Sequence, residues 1–121
     1  MDEFKGELDQ MLKMPEMFAM PVCVTKSGEM IGFVELARRE ESTELPIRRI
    51  GYIEGWYVEP EYRKKGVGRM LVKAGETWAR EKGCDTMGSD ADVDNIVSRD
   101  AHKALGYVEQ EVAVLFRKKL V

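Results

Sequence analysis

The sequence predicts an α/β fold from three observations. Strand-like runs come before Pro60, over 20–25, 30–38 and 49–58. After Pro60 the apolar spacing changes to that of an amphipathic helix, predicted over about 66–82. A short strand follows over 84–89, so the chain contains a strand–helix–strand unit whose two strands run parallel with a right-handed crossover.

The first third of the chain is predicted to supply a helix and an antiparallel hairpin. Apolar residues at helical spacing indicate a helix over 2–13, closed by Pro15. The strands over 20–25 and 30–38 are separated by a four-residue turn that contains Gly28, which is typical of a hairpin.

The strand over 49–58 carries the first candidate for chemistry. Strict alternation predicts two faces, with Ile50, Tyr52, Glu54, Trp56 and Val58 on one and Gly51, Ile53, Gly55 and Tyr57 on the other. Glu54 is therefore expected among large apolar neighbours. Gly55 within a strand marks either a bulge, a close approach of backbone or simply tight packing.

The end of the chain is expected to complete a single domain of 121 residues. Val97, Ala101, Ala104 and Leu105 have helical spacing, and Gly106 ends that helix. Strands over 107–120 are then expected to close the sheet.

Composition excludes several classes of protein. The net charge of −3 argues against a nucleic-acid module, and no apolar run approaches the length of a membrane span. The first fifteen residues carry six charges, unlike a secretory signal, so a cytoplasmic location is expected. Cys23 and Cys84 are predicted to be small buried residues without a role in chemistry.

An acidic stretch suggests a cationic partner. Its aspartates are opposed within the stretch only by Arg99: Asp85, Asp90, Asp92, Asp94 and Asp100. The plainer interpretation is a solvated acidic loop. A calcium loop is not expected, because Asn95 stands where that loop needs glycine and Ala101 where it needs glutamate. No metal is predicted.

The turn from Val58 to Arg69 is predicted to bind an anion. The first amides of a helix have no partners and lie at the positive end of its dipole, so they can hold a diphosphate. Gly66 and Gly68 permit close approach of a ligand, and the turn is rich in positive charge: Arg63, Lys64, Lys65 and Arg69. Its spacing fits neither a P-loop nor a dinucleotide fingerprint, and a solvated basic turn is the plainer alternative.

In this order, V-x-P-x-Y, Arg63-x-x-Gly66-x-Gly68 and an amphipathic helix resemble the acetyl-CoA signature of the GNAT N-acetyltransferases. The segments 53–58, 88–90 and 95–107 are similar to the aminoglycoside 6′-N-acetyltransferase branch. The resemblance implies a GNAT-like mixed sheet, mostly antiparallel, with a central splayed parallel pair and helices on both faces. The first strand and first helix of the family have no counterpart here.

The resemblance also implies a coenzyme site. Amides from Lys64 to Arg69 would hold the pyrophosphate of acetyl-CoA, and a bulge at Gly55 would admit the pantetheine arm and turn an N–H near Tyr57 toward the thioester oxygen. The residues assigned to coenzyme binding are Trp56, Tyr57, Val58, Arg63, Lys64, Lys65, Gly66, Val67, Gly68, Arg69, Asn95 and Ser98.

Three residues are candidates for catalysis. Glu54 and Asp90 both reach the carboxyl edge of the predicted parallel pair, where Glu54 suits a base and Asp90 an anchor for a cationic amine. His102 occupies the position of the family's proton donor to the leaving thiolate and shares a helix face with Asn95 and Ser98. An outward strand carboxylate and a surface histidine are the plainer alternatives.

The predicted function is acetyl transfer from acetyl-CoA to a primary amine of a small cationic acceptor, with an aminoglycoside 6′-amine preferred. A protein, peptide or polyamine acceptor stays open, as does a catalytically silent coenzyme A-binding module. A homodimer is a further possibility, since a neighbour could supply the missing acceptor wall.

Overall fold

A computed structural model of the chain describes residues 16–41 and 47–121; the predicted helix over 2–13 lies outside them. The described residues form strands β1 (Phe18–Ala19), β2 (Val22–Val24), β3 (Met30–Glu41), β4 (Arg48–Val58) and β5 (Thr86–Gly88), and helices α1 (Val67–Glu81) and α2 (Ile96–Ala104). The chain divides after Asp90 into two compact units. No helix in the described ranges has the length and apolar character needed to cross a membrane.

The sheet of the first unit is mostly antiparallel with one parallel pair, as predicted. β1 and β2 both pair antiparallel with β3, which pairs antiparallel with β4. The β2–β3 hairpin is confirmed, and its Gly28 has a φ of 90°. β5 pairs parallel with β4, so the strand–helix–strand unit is confirmed.

A bulge in β4 changes the faces predicted for this strand. Glu35 pairs with Gly55 and Leu36 with Ile53, so Glu54 is an extra residue that β3 does not match. One extra residue moves every later side chain to the opposite face. The predicted alternation is therefore wrong beyond Glu54. The Trp56 indole lies against α1, 3.1 Å from the position a Cβ on Gly68 would take.

The core of this unit lies between α1 and one face of the sheet. The predicted apolar stripe of α1 is confirmed at Val67, Leu71 and Trp78, which are buried. The fit is tight because a Cβ on Gly51 would lie 2.7 Å from the Cβ of Ala79. The two cysteines are buried and unbridged, as expected.

The second unit contains α2 and the rest of the chain. The predicted helix is confirmed, and Gly106 follows it with a φ of 91°. The strands predicted over 107–120 are wrong, since 107–121 contains no strand and Phe116 is 88% exposed. Alternating apolar residues give only a propensity, and a strand forms where another strand accepts its hydrogen bonds.

Candidate functional site

The turn between β4 and α1 is fastened at its start by backbone hydrogen bonds. Glu59 N donates to Ile31 O over 2.8 Å, and a short 3₁₀ helix, Pro60–Tyr62, follows. Lys64 and Gly66 then adopt left-handed backbone conformations, with φ of 62° and 89°. Left-handed residues in a turn direct neighbouring N–H groups into a concave surface that suits an anion.

The first amides of α1 are available for such an anion. The first hydrogen bond of the helix runs from Met70 N to Gly66 O, 3.0 Å, so the amides of Val67, Gly68 and Arg69 precede it. Gly66 makes no side-chain cap, and the space that a Cβ would enter there is open. The positive end of the helix dipole adds to the attraction. This backbone fits a diphosphate.

Arg63 makes contacts within the turn in addition to the charge predicted for it. Its Nε donates to Val58 O over 2.8 Å, and its guanidinium lies 5.5 Å from the centre of the Tyr57 ring. Arg63 therefore fastens the turn to the end of β4. The other three cationic side chains of the turn are exposed: Lys64, Lys65 and Arg69.

The sheet face opposite α1 carries a polar network. Arg39 Nη2 lies 3.0 Å and 2.9 Å from the two carboxylate oxygens of Glu54, and its Cζ lies 3.6 Å above the centre of the Tyr52 ring. Tyr52 Oη donates to Asp90 Oδ2 over 2.6 Å. Glu54 and Asp90, predicted to share a cleft, thus belong to one network.

The surroundings of Glu54 differ from those expected. Its side chain is 42% exposed and ion-paired, and the bulge has moved Trp56 to the other face. The apolar environment predicted for this carboxylate is therefore wrong. Of Tyr52 and Trp56, which flank Glu54 in the predicted alternation, Tyr52 keeps its place on this face.

The pKa values of Tyr52 and Arg39 in this network are both raised, so both side chains keep their protons. Burial, followed by the hydrogen bond to Asp90, raises the pKa of Tyr52 to about 12. The hydrogen bond to Glu54 is the main cause that raises the pKa of Arg39. At neutral pH the Tyr52 phenol is therefore protonated and donates to Asp90. The Arg39 guanidinium is positively charged and pairs with Glu54.

Two residues of this face were missed from the sequence. Arg39 is one, and Glu35 is the other, since its Oε1 would lie only 2.5 Å from a Cβ on Gly55. Both lie on β3. The register of the β3–β4 pairing determines which residues of β4 lie beside them. Glu35 and Arg39 lie four positions apart on β3, so strand alternation puts both on one face, but this signal does not reveal their partners on β4.

The second unit places its three predicted residues together on α2. Asn95 caps the helix, since its Oδ1 accepts from Ser98 N over 3.1 Å, a role not predicted from the sequence. His102 Nδ1 lies 2.7 Å from Ser98 O. Because a carbonyl oxygen only accepts, Nδ1 carries the proton.

The acidic stretch also pairs with an arginine from outside it. Arg48 of β4 lies 3.3 Å from Asp85, and hydrogen bonds from Thr86 and then Arg48 lower the pKa of Asp85. Arg99 instead pairs with Glu109 at 2.7 Å. Across residues 16–41 and 47–121, no three histidine, cysteine, aspartate or glutamate side chains form a group that could hold a metal.

The fold and the turn define a class of α/β protein in which a bulged strand leads, through a glycine-containing turn, into a helix whose first amides suit an anion. The model of the acetyltransferase (GNAT) family matches residues 2–107, and the chain belongs to that family. It is an N-acetyltransferase by this membership.

Relatives within the family are similar over nearly the whole chain. An aminoglycoside N(6′)-acetyltransferase type 1 from Klebsiella aerogenes is 39% identical over 120 residues, which are 98% of this chain and 79% of that protein. The apo crystal structure of the aminoglycoside antibiotic 6′-N-acetyltransferase AAC(6′)-IG from Acinetobacter haemolyticus has a TM-score of 0.73 at 33% identity, covering 87% of this chain and 72% of that one.

A third similar structure is that of AAC(6′)-Iy in complex with the bisubstrate analogue CoA-S-monomethyl-acetylneamine. Its TM-score is 0.75 at 31% identity, with 85% of this chain and 70% of that chain covered. The mostly antiparallel sheet with one parallel pair is thus shared with structures of this family.

Proposed function

We propose that the protein transfers the acetyl group of acetyl-CoA to a primary amine of a cationic acceptor, and that this acceptor is an aminoglycoside with a 6′-amine. The observation that carries the proposal is the run of first-turn amides over 67–69, which the turn over 59–66 connects to the strand that holds Glu54. The substrates named for its relatives support the choice of acceptor.

Coenzyme binding is assigned mainly to the backbone. Amides from Lys64 to Arg69 would hold the pyrophosphate, and the exposed cations of the turn would add attraction. Bound acetyl-CoA supplies the thioester carbonyl carbon that the amine attacks. The backbone of Trp56, Tyr57 and Val58 lines the proposed path of the pantetheine arm, with an N–H near Tyr57 as the donor to the thioester oxygen.

Glu54 is proposed as the base. An alkylammonium group has no lone pair with which to attack, so its proton must leave, and the exposed Glu54 carboxylate can accept it directly or through water. Asp90 is proposed as the anchor for the cationic acceptor. The hydrogen bond from Tyr52 supports this role, because it fixes one Asp90 oxygen and leaves the other to accept.

Asn95, Ser98 and His102 are assigned by the family resemblance. With the Oδ1 of Asn95 engaged in the cap, its amide N–H groups are the donors for the pantetheine arm. His102 is proposed to return a proton to the leaving thiolate.

The experiment is a thiol-release assay with acetyl-CoA against aminoglycosides with a 6′-amine or a 6′-hydroxyl, polyamines and peptides. Glu54→Gln is expected to lower kcat roughly 100-fold or more while coenzyme affinity is kept. Asp90→Asn is expected to raise the KM of the acceptor. Glu29→Gln, which removes an exposed charge in the hairpin turn, is the matched control and should leave both unchanged.

The panel also separates the alternatives. Turnover confined to peptides or polyamines would discard the aminoglycoside, and coenzyme binding without turnover of any amine would indicate a silent binding module. A cytoplasmic location, a single domain over 1–121 and a homodimer stay predictions.

A further inference from the structure

We propose that Arg39 competes with the acceptor's ammonium group for Glu54, and so determines how much positive charge an acceptor needs in order to bind. This inference rests on the proposed function, in which Glu54 receives the reacting amine. It assigns a specificity role to a residue of β3 that the coenzyme site does not use.

The Arg39 guanidinium occupies a position built for a cation. Both oxygens of Glu54 accept from Nη2 on one side, and the face of the Tyr52 ring lies 3.6 Å away on another. A carboxylate and an aromatic face are the two groups that recognise ammonium and guanidinium ions. We call this position, formed by Tyr52 and Glu54, the cation seat.

The seat belongs to a surface with excess negative charge. Asp90 is joined to Tyr52 by the 2.6 Å hydrogen bond, and Glu35 covers Gly55 on the same face. Arg39 opposes these carboxylates and Glu54 with one positive charge. A cationic acceptor is attracted to the surface as a whole, but a group that enters the seat must replace the guanidinium.

Replacement is feasible because the pair is exposed. The side chains of Arg39 and Glu54 are 48% and 42% exposed, and exposed ion pairs are weak. Arg39 lies near the end of β3, and its departure would leave the core under α1 unchanged. The guanidinium can therefore move into solvent when a stronger ligand arrives.

The number of charges on the acceptor decides how readily this happens. A polycationic acceptor can bind Asp90 and Glu35 as well as Glu54, so it gains contacts that offset the loss of the Arg39 pair. A monoamine gains only the contacts with Tyr52 and Glu54 in the cation seat. Arg39 is thus expected to weaken the binding of monoamines more than that of polycations.

The test compares Arg39→Met, which keeps an apolar stem, with two controls. Arg48→Met removes a similarly exposed arginine that pairs with Asp85, and Arg39→Lys keeps the charge without the guanidinium fork. In Arg39→Met, the KM of a monoamine should fall about fivefold and that of a polycationic aminoglycoside about twofold, with kcat changed less than about twofold. Arg48→Met should match the wild type, and Arg39→Lys should lie between. A rise in KM, or an equal fall for both acceptors, would overturn the proposal.

A binding measurement separates this proposal from the proposed function. Ethylguanidinium should bind Arg39→Met about fivefold more tightly than the wild type, with shifts of the Tyr52 ring resonances in an NMR titration. Equal affinity for the two proteins would refute competition for the seat. If the wild type acetylates no amine, the proposed function fails, while this titration still decides whether Arg39 fills a cation seat.

Discussion

The two faces of the sheet differ in what holds them together. Toward α1 the contacts are apolar and closely spaced, as where a Cβ on Gly75 would lie 2.9 Å from Leu36. The opposite face carries Arg39, Glu54 and Asp90 in exposed polar contacts. The proposed coenzyme site is therefore backbone fixed by a core, whereas the proposed acceptor site is a set of side chains that can exchange partners.

A single inserted residue separates these two roles along β4. The bulge at Glu54 directs that carboxylate away from α1 and brings Trp56 onto Gly68 at the start of the helix. The pairing of β4 with β5 ends at Tyr52 and Gly88, just before the bulge. Beyond that point the edge of β4 is unpaired by β5, which suits a ligand that approaches its backbone.

The two faces are expected to differ most in how much stability is lost when one methyl group is added to each. In Gly51→Ala the new Cβ meets Ala79 in the core, so unfolding should become easier by roughly 1–3 kcal/mol. In Gly55→Ala it meets only the end of the flexible Glu35 side chain, so the loss should stay below about 1 kcal/mol. Urea denaturation of both variants measures this, and equal losses would show that the faces do not differ in rigidity.

A smaller effect is expected where the coenzyme site depends on a left-handed residue. Gly66→Ala and Gly28→Ala both place a Cβ in open space at a φ near 90°, so each should lose about 1–2 kcal/mol of stability. Only Gly66→Ala should also weaken coenzyme A binding, by about tenfold, because its strain displaces the amides of the turn. Calorimetric titration with coenzyme A measures the two affinities. Equal affinities in the two variants would show that the turn around Gly66 does not bind the coenzyme.

The smallest effect is expected from Tyr52→Phe on the polar face. The pKa of Tyr52 is raised from 10.0 to about 12, so its hydrogen bond to Asp90 contributes fully below pH 10 and is lost as the pH rises toward 12. Tyrosinate absorbance of the wild type should show a component that ionises near pH 12 and is missing in Tyr52→Phe, with circular dichroism as the check on folding. Identical titration curves for the two proteins would contradict the Tyr52–Asp90 bond.

Local sequence signals predicted the elements whose partners are near in the chain. The hairpin turn at Gly28, the helix behind Gly66 and the end of α2 at Gly106 all follow from residue types that need particular backbone conformations. Residues 107–121 show the limit, since their apolar alternation could not reveal whether a strand would accept their hydrogen bonds.

The part of the candidate site that is formed by the backbone of one turn was predicted from the sequence. The part that depends on how β3 and β4 are paired was missed. Gly66 and Gly68 identify the amide-bearing turn directly. The pairing of Arg39 with Glu54 requires the bulge, which Gly55 signals without fixing which residue is inserted. Side chains joined across strands are determined by tertiary pairing, so a list of residues along one strand could not supply Arg39.

The central claim is that peptide nitrogens at the start of α1 bind the diphosphate of the coenzyme. A titration of the ¹⁵N-labelled protein with coenzyme A tests it directly, by following the backbone amides of residues 64–69. They are expected to shift together and saturably, ahead of amides in the hairpin turn around Gly28. Saturable binding that leaves residues 64–69 unmoved would contradict the account.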